Sequence, residues 1–301
     1  MEPLRKERTI SNRFIGLVVP SVENSLIARI LRGAEAYATE SSFHVALAHD
    51  HGDLALQIAQ LERMATGGVQ GIAVYPDTSN INRPEFHSAI QKIHDQSIPL
   101  VMIDRYLPEI ETLSVLSDNF IGMYSATQHM ILTGHRRLTL LAFGAESGTA
   151  DGERRRGFLT ALQDYGIDPN SVLMADLGTR DHEVSAREIV KGQLTSHAGK
   201  LAFDGIVCMQ DNMAYGAYLA LREHGLDVPQ DVALIGYDNL NSELFRANGL
   251  ELSSVDQPAE LIGSETARLL INLIENHQLD RPRHILLKPS LVLRTSCTAT
   301  S

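Results

Sequence analysis

Tryptophan is absent from this chain, aromatic residues make up only 5% of it, and cysteine occurs twice. Cys208 and Cys297 lack the paired spacing of a metal or redox site, so a disulfide framework or zinc ribbon is excluded and two free thiols in a reducing compartment are expected. No apolar run reaches the ~18 residues of a membrane span, and the opening MEPLRKERTISNRF carries charges instead of the apolar stretch of an export signal. These absences favour a cytoplasmic protein. Basic residues are too few for broad adhesion to phosphate backbones or anionic lipid: 26 stand against 37 acidic ones, a net charge of −11. The basic cluster Arg5, Lys6, Arg8 and Arg13 sits in a short leader that reads as a solvated tail or as a linker to a domain outside this chain. Enzyme signatures are missing too. There is no GxSxG, no phosphate loop with GK[ST], no GxGxxG after a strand and no HExxH. No cofactor is expected. Nor is a metal, since the densest group of ligand types, His49, Asp50, His51 and Asp53, lacks a paired set at helix or finger spacing.

What the chain does have is alternation. Its 301 residues are 44% apolar and 21% charged, ordinary for a globular protein. Short continuous apolar runs (FIGLVV, FHVALA, GIAVYP, IPLVMID, LSVLS) read as buried strands, and the segments between them carry apolar residues at helical spacing, as in Leu26, Ile27, Ile30, Leu31, Ala34, Tyr37 and Ala38. From Asn119 the alternation starts again with LTLLAF, VLMADL, GIVCM and VALIGY. Two successive βαβα runs without a Pro/Gly/Ser-rich linker predict an α/β protein with two similar lobes and a crevice between them. The lobes are expected to be discontinuous: 14–117 plus 256–286 in the N-terminal one, 118–255 plus 287–301 in the C-terminal one, with 1–13 as leader.

The stretch Phe203 to Asn239 shows the unit best. GIVCM and VALIGY flank a helix that stops at Gly225, with Asp211 as its expected N-cap. A right-handed crossover between two such strands opens both on one sheet edge, where parallel sheets bind ligands, and Gln210, Asp211, Asp238 and Asn239 sit there. GAESGT after LLAF reads as a flexible rim of the crevice.

The order and spacing of FIGLVVP, GVQGIAVYP, IPLVMIDR, SDNFIGMYSATQHMILTGHRRLTLL, ERRRGFLTAL, VPQDVALIGYDN, SSVDQPAELIG and LVLRTSC resemble the ligand-sensing core of the lactose-repressor/galactose-repressor (LacI/GalR) family over nearly the whole chain from Phe14. The GHRR turn, the SDN at the lobe junction and the VPQDVALIGYD strand are the most specific parts. The resemblance implies two Rossmann-like lobes with parallel sheets joined by three crossovers (periplasmic-binding-protein-like, type I), a small polar effector in the cleft, such as a sugar or polyol, and a homodimer. It also implies N-terminal DNA-binding heads that the effector reorients. Such a head needs about 50 to 70 residues, and 13 precede the first strand, so contact with DNA is expected only through a part outside this chain.

By the same resemblance Arg154, three positions before Gly157, reaches into the cleft, and a guanidinium fork suits vicinal hydroxyls or a carboxylate. Asp238, ending IGYD, and Asp104, ending LVMID, are the expected acceptors from the two lobes. Gln210 stands where the family has asparagine and moves the same amide by one methylene. Arg155 and Arg156 should face elsewhere, because neighbours on a helix do not share a face. At Asn24 to Ile27 the family's sugar binders often carry a proline and paired aromatics, and Leu26 and Ile27 weaken hexose stacking there. Stacking would fall to Tyr75, Tyr106 or Phe143. The rival readings are a transporter's solute-binding protein, which needs an export signal, and an α/β enzyme, which needs a nucleophile or cofactor loop.

Overall fold

Continuous apolar runs become the inner strands of two sheets, and the amphipathic segments between them cover the sheet faces. The computed structural model describes residues 13–76, 83–107, 110, 112–143, 149–177, 181–196, 201–240, 243–276 and 284–298. Arg5, Lys6 and Arg8 of the basic leader, and Gly144 to Gly148 of the expected rim, lie outside the described residues.

In chain order the first lobe is laid down as β1 (Phe14–Val19), α1 (Ser25–Glu40), β2 (His44–His49), α2 (Leu54–Thr66), β3 (Gly71–Val74), α3 (Pro84–Asp95), β4 (Leu100–Ile103) and β5 (Leu113–Ser117). The chain crosses over into α4 (Asn119–Leu132), β6 (Leu138–Phe143), α5 (Thr149–Asp164), β7 (Leu173–Leu177), α6 (His182–Ser196), β8 (Gly205–Cys208), α7 (Asp211–Glu223), β9 (Ala233–Tyr237), α8 (Glu243–Ala247) and β10 (Ser253–Asp256). It returns through α9 (Ala259–Asn276) to β11 (His284–Leu287) and crosses a third time to β12 (Ser290–Val292).

Among the described residues each sheet has six strands, and the two orders correspond: β11-β5-β4-β3-β1-β2 in the first, β12-β10-β9-β8-β6-β7 in the second. Strand pairs are parallel except β10 with β12, where the last crossover brings the chain back antiparallel. β1 is buried along nearly its whole length between β2 and β3, which is why its sequence shows no polar alternation. α9 belongs to the first lobe by packing, and it crosses α1 at backbone contact. A Cβ on Gly33 would fall 1.9 Å from the Glu260 carbonyl oxygen, and one on Gly263 1.9 Å from that of Ile30. No larger residue permits that crossing.

Two local expectations are corrected. Asp211 is not a cap: Gln210 holds the N-cap position of α7 without a side-chain bond, while Asp211 accepts from the Ser254 hydroxyl (2.7 Å) and the Leu240 amide (2.7 Å). It is buried and ties α7 to β10, and a Cβ on Gly236 would lie 2.0 Å from its Oδ1, so β9 needs glycine there. Burial pushes its carboxyl well above the ordinary range. The second concerns α5: the sequence pattern predicts a helix that opens after Asp151, whereas α5 begins at Thr149, two residues earlier, and so draws Asp151 into its first turn.

Candidate functional site

The corresponding strand orders place β4 and β9 at equivalent positions, and an aspartate follows each. Asp104 (φ 65°) and Asp238 (φ 96°) both adopt left-handed backbone, a conformation that side chains rarely take and that concentrates at functional sites. Each backbone amide donates to the next strand, Asp104 to Val115 (2.9 Å) and Asp238 to Val255 (2.8 Å), so the chain turns sharply and both side chains are held where the lobes meet. They are 3% and 4% exposed.

Arg154 ties this region together. Its Nε donates to Asn119 Oδ1 (2.8 Å) at the first crossover, Nη1 to the Met209 carbonyl (2.6 Å) beyond β8, and Nη2 to Asp238 Oδ1 (3.5 Å). The guanidinium also lies 3.8 Å over the Tyr237 ring. Burial works against its charge, but Asp238 and nearby acidic groups outweigh it, and the net pKa is raised. Asp238 Oδ1 accepts a second bond from Gln257 Nε2 (2.7 Å), just past β10. Burial nonetheless pushes the Asp238 carboxyl up, with Arg154 and Gln257 pulling it back. In the first lobe Asp104 Oδ2 accepts from the Tyr75 hydroxyl (2.8 Å) and from Arg105 Nη1 (3.1 Å). From the other lobe the charge of Asp104 acts on Arg154 and Asp238. A hollow of about 360 Å³, within the range of small-molecule sites, opens between the lobes beside this cluster, lined among others by Asp104, Ser117, Asn119 and Thr149. An array of planar donors and acceptors buried between two rigid lobes can bind a small polar molecule; among the described residues no group of ligand types could hold a metal.

The family profile described as periplasmic binding protein-like domain matches residues 127–297, more than half of the chain. The chain belongs to that family. An arabinose metabolism transcriptional repressor of Geobacillus stearothermophilus is 26% identical over 298 residues, covering 98% of this chain and 79% of that protein. The ribose operon repressor of Haemophilus influenzae is 26% identical over 294 residues, 97% of this chain and 83% of that protein. Among solved structures, a LacI-family transcriptional regulator from Enterococcus faecium with bound ribose shares the fold (TM-score 0.78, 24% identity, 96% of this chain and 100% of that one). The transcriptional regulator CelR in complex with cellobiose is 28% identical, with a TM-score of 0.77 over 94% of this chain and 84% of that one.

This periplasmic binding protein-like chain thus resembles, over nearly its whole length, relatives that are transcriptional repressors. Of the four residues singled out from its sequence, three converge: Arg154, Asp238 and Asp104. Gln210 does not join them through its side chain, because its Oε1 lies 3.0 Å from His182 Nδ1 at the start of α6. Arg155 turns to Asp176 and the Phe143 carbonyl, as expected, but Arg156, which lies over Phe120, lines the hollow against expectation. Among the aromatics, Tyr75 bonds Asp104 and Tyr106, packed on His284, lines the hollow, whereas Phe143 packs on His182. Asn24 caps α1 and Leu26 and Ile27 are core residues of the first lobe. His49 and His51 pack edge to face, Asp50 accepts from the Gly52 amide and Gln57, and Asp53 caps α2, which gives that polar group a structural role. Both cysteines are buried free thiols.

Sequence reasoning missed Asn119, Gln257 and above all Asp151. The last is 2% exposed and lies one helical turn before Arg154 on α5. Its signal was present: residues three apart share a helix face, so Asp151 and Arg154 project together once the helix is known to start at Thr149.

Proposed function

We propose that this domain binds a small polar effector, a sugar or polyol, between its lobes and converts their closure into altered DNA binding by heads attached beyond this chain. The observation that carries the reading is the buried Arg154–Asp238 pair facing Asp104 across the junction, an arrangement that costs stability in an interior without a ligand to serve. The units that move are the two lobes, 14–117 plus 256–286 against 118–255 plus 287–301. A ligand contacting both favours the closed form only by its differential affinity for it, and a homodimer would pass the change to DNA-binding heads in the cytoplasm. The names of the relatives, which regulate arabinose and ribose genes, and the ribose and cellobiose bound in two structural relatives support a carbohydrate. A transporter's solute-binding protein is not favoured, since the relatives are repressors.

Thermal-shift measurement with D-ribose, L-arabinose, cellobiose and purine bases tests this. A true effector at a hundredfold excess over its dissociation constant adds about 2.7 kcal/mol of stability, and Arg154→Ala or Asp238→Ala abolishes the shift while the protein stays folded. Undiminished effector affinity in both variants would remove the assignment.

A further inference from the structure

The interlobe cluster holds buried carboxylate and amide oxygens that no protein donor reaches. Asp104 Oδ1, both carboxylate oxygens of Asp151 and Gln257 Oε1 accept no hydrogen bond, although all three residues are buried. Of the donors beside them, the three guanidinium nitrogens of Arg154, the Gln257 amide nitrogen and the Tyr75 hydroxyl each donate to a protein oxygen, while the hydroxyls of Ser117, Thr149 and Tyr237 bond no described group. An unmet buried acceptor destabilises a fold, and each one in a native protein calls for a partner that completes it.

Asp151 is the extreme case. Attraction to the positive end of α5 accounts for an acidic residue in a first helical turn at the surface. It does not account for one that is 2% exposed with neither oxygen bonded. Nor is Asp151 remote from the cleft: its neighbours on α5, Thr149, Ala150 and Glu153, line the hollow, and the charges of Arg105 from the first lobe and Arg154 from the second act on it, with Asp104 and Asp238 opposing them. Three carboxylates against two guanidiniums leave the cluster formally one negative charge in excess when all are ionised. Arginines at a cleft ordinarily suggest an anionic ligand, but here each is paired with a carboxylate: Arg105 with Asp104, Arg154 with Asp238 and Arg156 with Glu153.

We infer that Asp151 is the specificity residue of this cleft: its two oxygens accept from adjacent hydroxyl groups of an uncharged ligand, and its charge turns away ligands bearing a phosphate or carboxylate. The assignment rests on the effector reading above and adds to it the charge class of the ligand and the residue that selects it.

The test is calorimetric titration of the full chain and its Asp151→Asn and Asp151→Glu variants with D-ribose, L-arabinose, D-ribose 5-phosphate and D-ribonate, with ligand-free melting as the check on folding. In the wild type a neutral sugar binds and its phosphorylated or oxidised counterpart binds at least about tenfold more weakly. Asp151→Asn lowers neutral-sugar affinity about tenfold and narrows the gap to the anionic probes. Asp151→Glu keeps the charge and therefore the discrimination, while the displaced oxygens weaken the neutral sugar. Should Asp151→Asn bind every probe as the wild type does, or should the wild type prefer the anions, the assignment to Asp151 is overturned and the effector reading stands. A wild type bound by none of the four overturns both.

Discussion

Asp104 and Asp238 occupy the same place in two matching sheets, share a left-handed backbone and bond the next strand in the same way, yet they are held differently. Asp104 is held from within its own lobe, through Oδ2 alone, by Tyr75 and Arg105. Asp238 is held by Arg154 and Gln257, and Arg154 in turn reaches the first crossover, so this network spans the segments about which the lobes would move. A further tie comes from α1 of the first lobe: Arg29 donates to the Asp238 carbonyl (2.9 Å) and to Asp256 (2.9 Å). Duplicated strands therefore do not make duplicated sites. One wall is a self-contained clamp, and the other is a hub wired to the hinge.

If the hub dominates, Arg154→Ala has the largest effect. Breaking a buried ion pair and its accompanying hydrogen bonds costs about 3–5 kcal/mol, measured by urea unfolding, and abolishes ligand-induced stabilisation. The direct comparison is Asp238→Asn against Asp104→Asn. The former costs about 2–3 kcal/mol because it strips a charged partner from Arg154, the latter less, and equal losses would break the asymmetry. Tyr75→Phe, which removes one neutral donor from the clamp, costs about 1 kcal/mol. Arg29→Ala, lifting a partly exposed tether, costs about 0.5–1 kcal/mol and is expected to speed ligand release in stopped-flow measurements more than it lowers the melting temperature.

The smallest expected effect is on pH dependence. Burial raises the Asp151 carboxyl above its ordinary value, against the pull of Arg105 and Arg154. Between the ordinary value and the raised one, the folded protein holds more protons than the unfolded chain. This contribution to stability is complete below that window and lost as pH rises through it. Asp151→Asn removes it. The melting temperature of the variant minus that of the wild type, measured without ligand, should shrink as pH falls from neutrality into the window; a difference independent of pH would place no such penalty on Asp151.

The alternation of apolar runs and amphipathic segments was enough to read two α/β lobes, because buried parallel strands and their covering helices carry their periods openly. β1 over Phe14–Val19 and β5 over Leu113–Ser117 match the apolar runs FIGLVV and LSVLS residue for residue. Arg154, Asp238 and Asp104 were legible because strand ends and a known motif mark them. Asp211 and Gln210 misled for a common reason. A polar residue after a strand looks the same whether it caps a helix, bonds a neighbouring strand or faces a ligand, and only the neighbours decide; Ser254 claimed Asp211, and His182 claimed Gln210.

Sequence alone determined the architecture, the edge on which a site can form and the chemistry available there, since these follow from local periodicity and residue type. Which acceptors remain unmet, which arginine becomes the hub and how two equivalent aspartates came to differ were decided by tertiary structure. Those depend on contacts between residues 35, 55 and 84 positions apart, as Arg154 shows with Asn119, Met209 and Asp238, and no local pattern encodes a meeting over such separations.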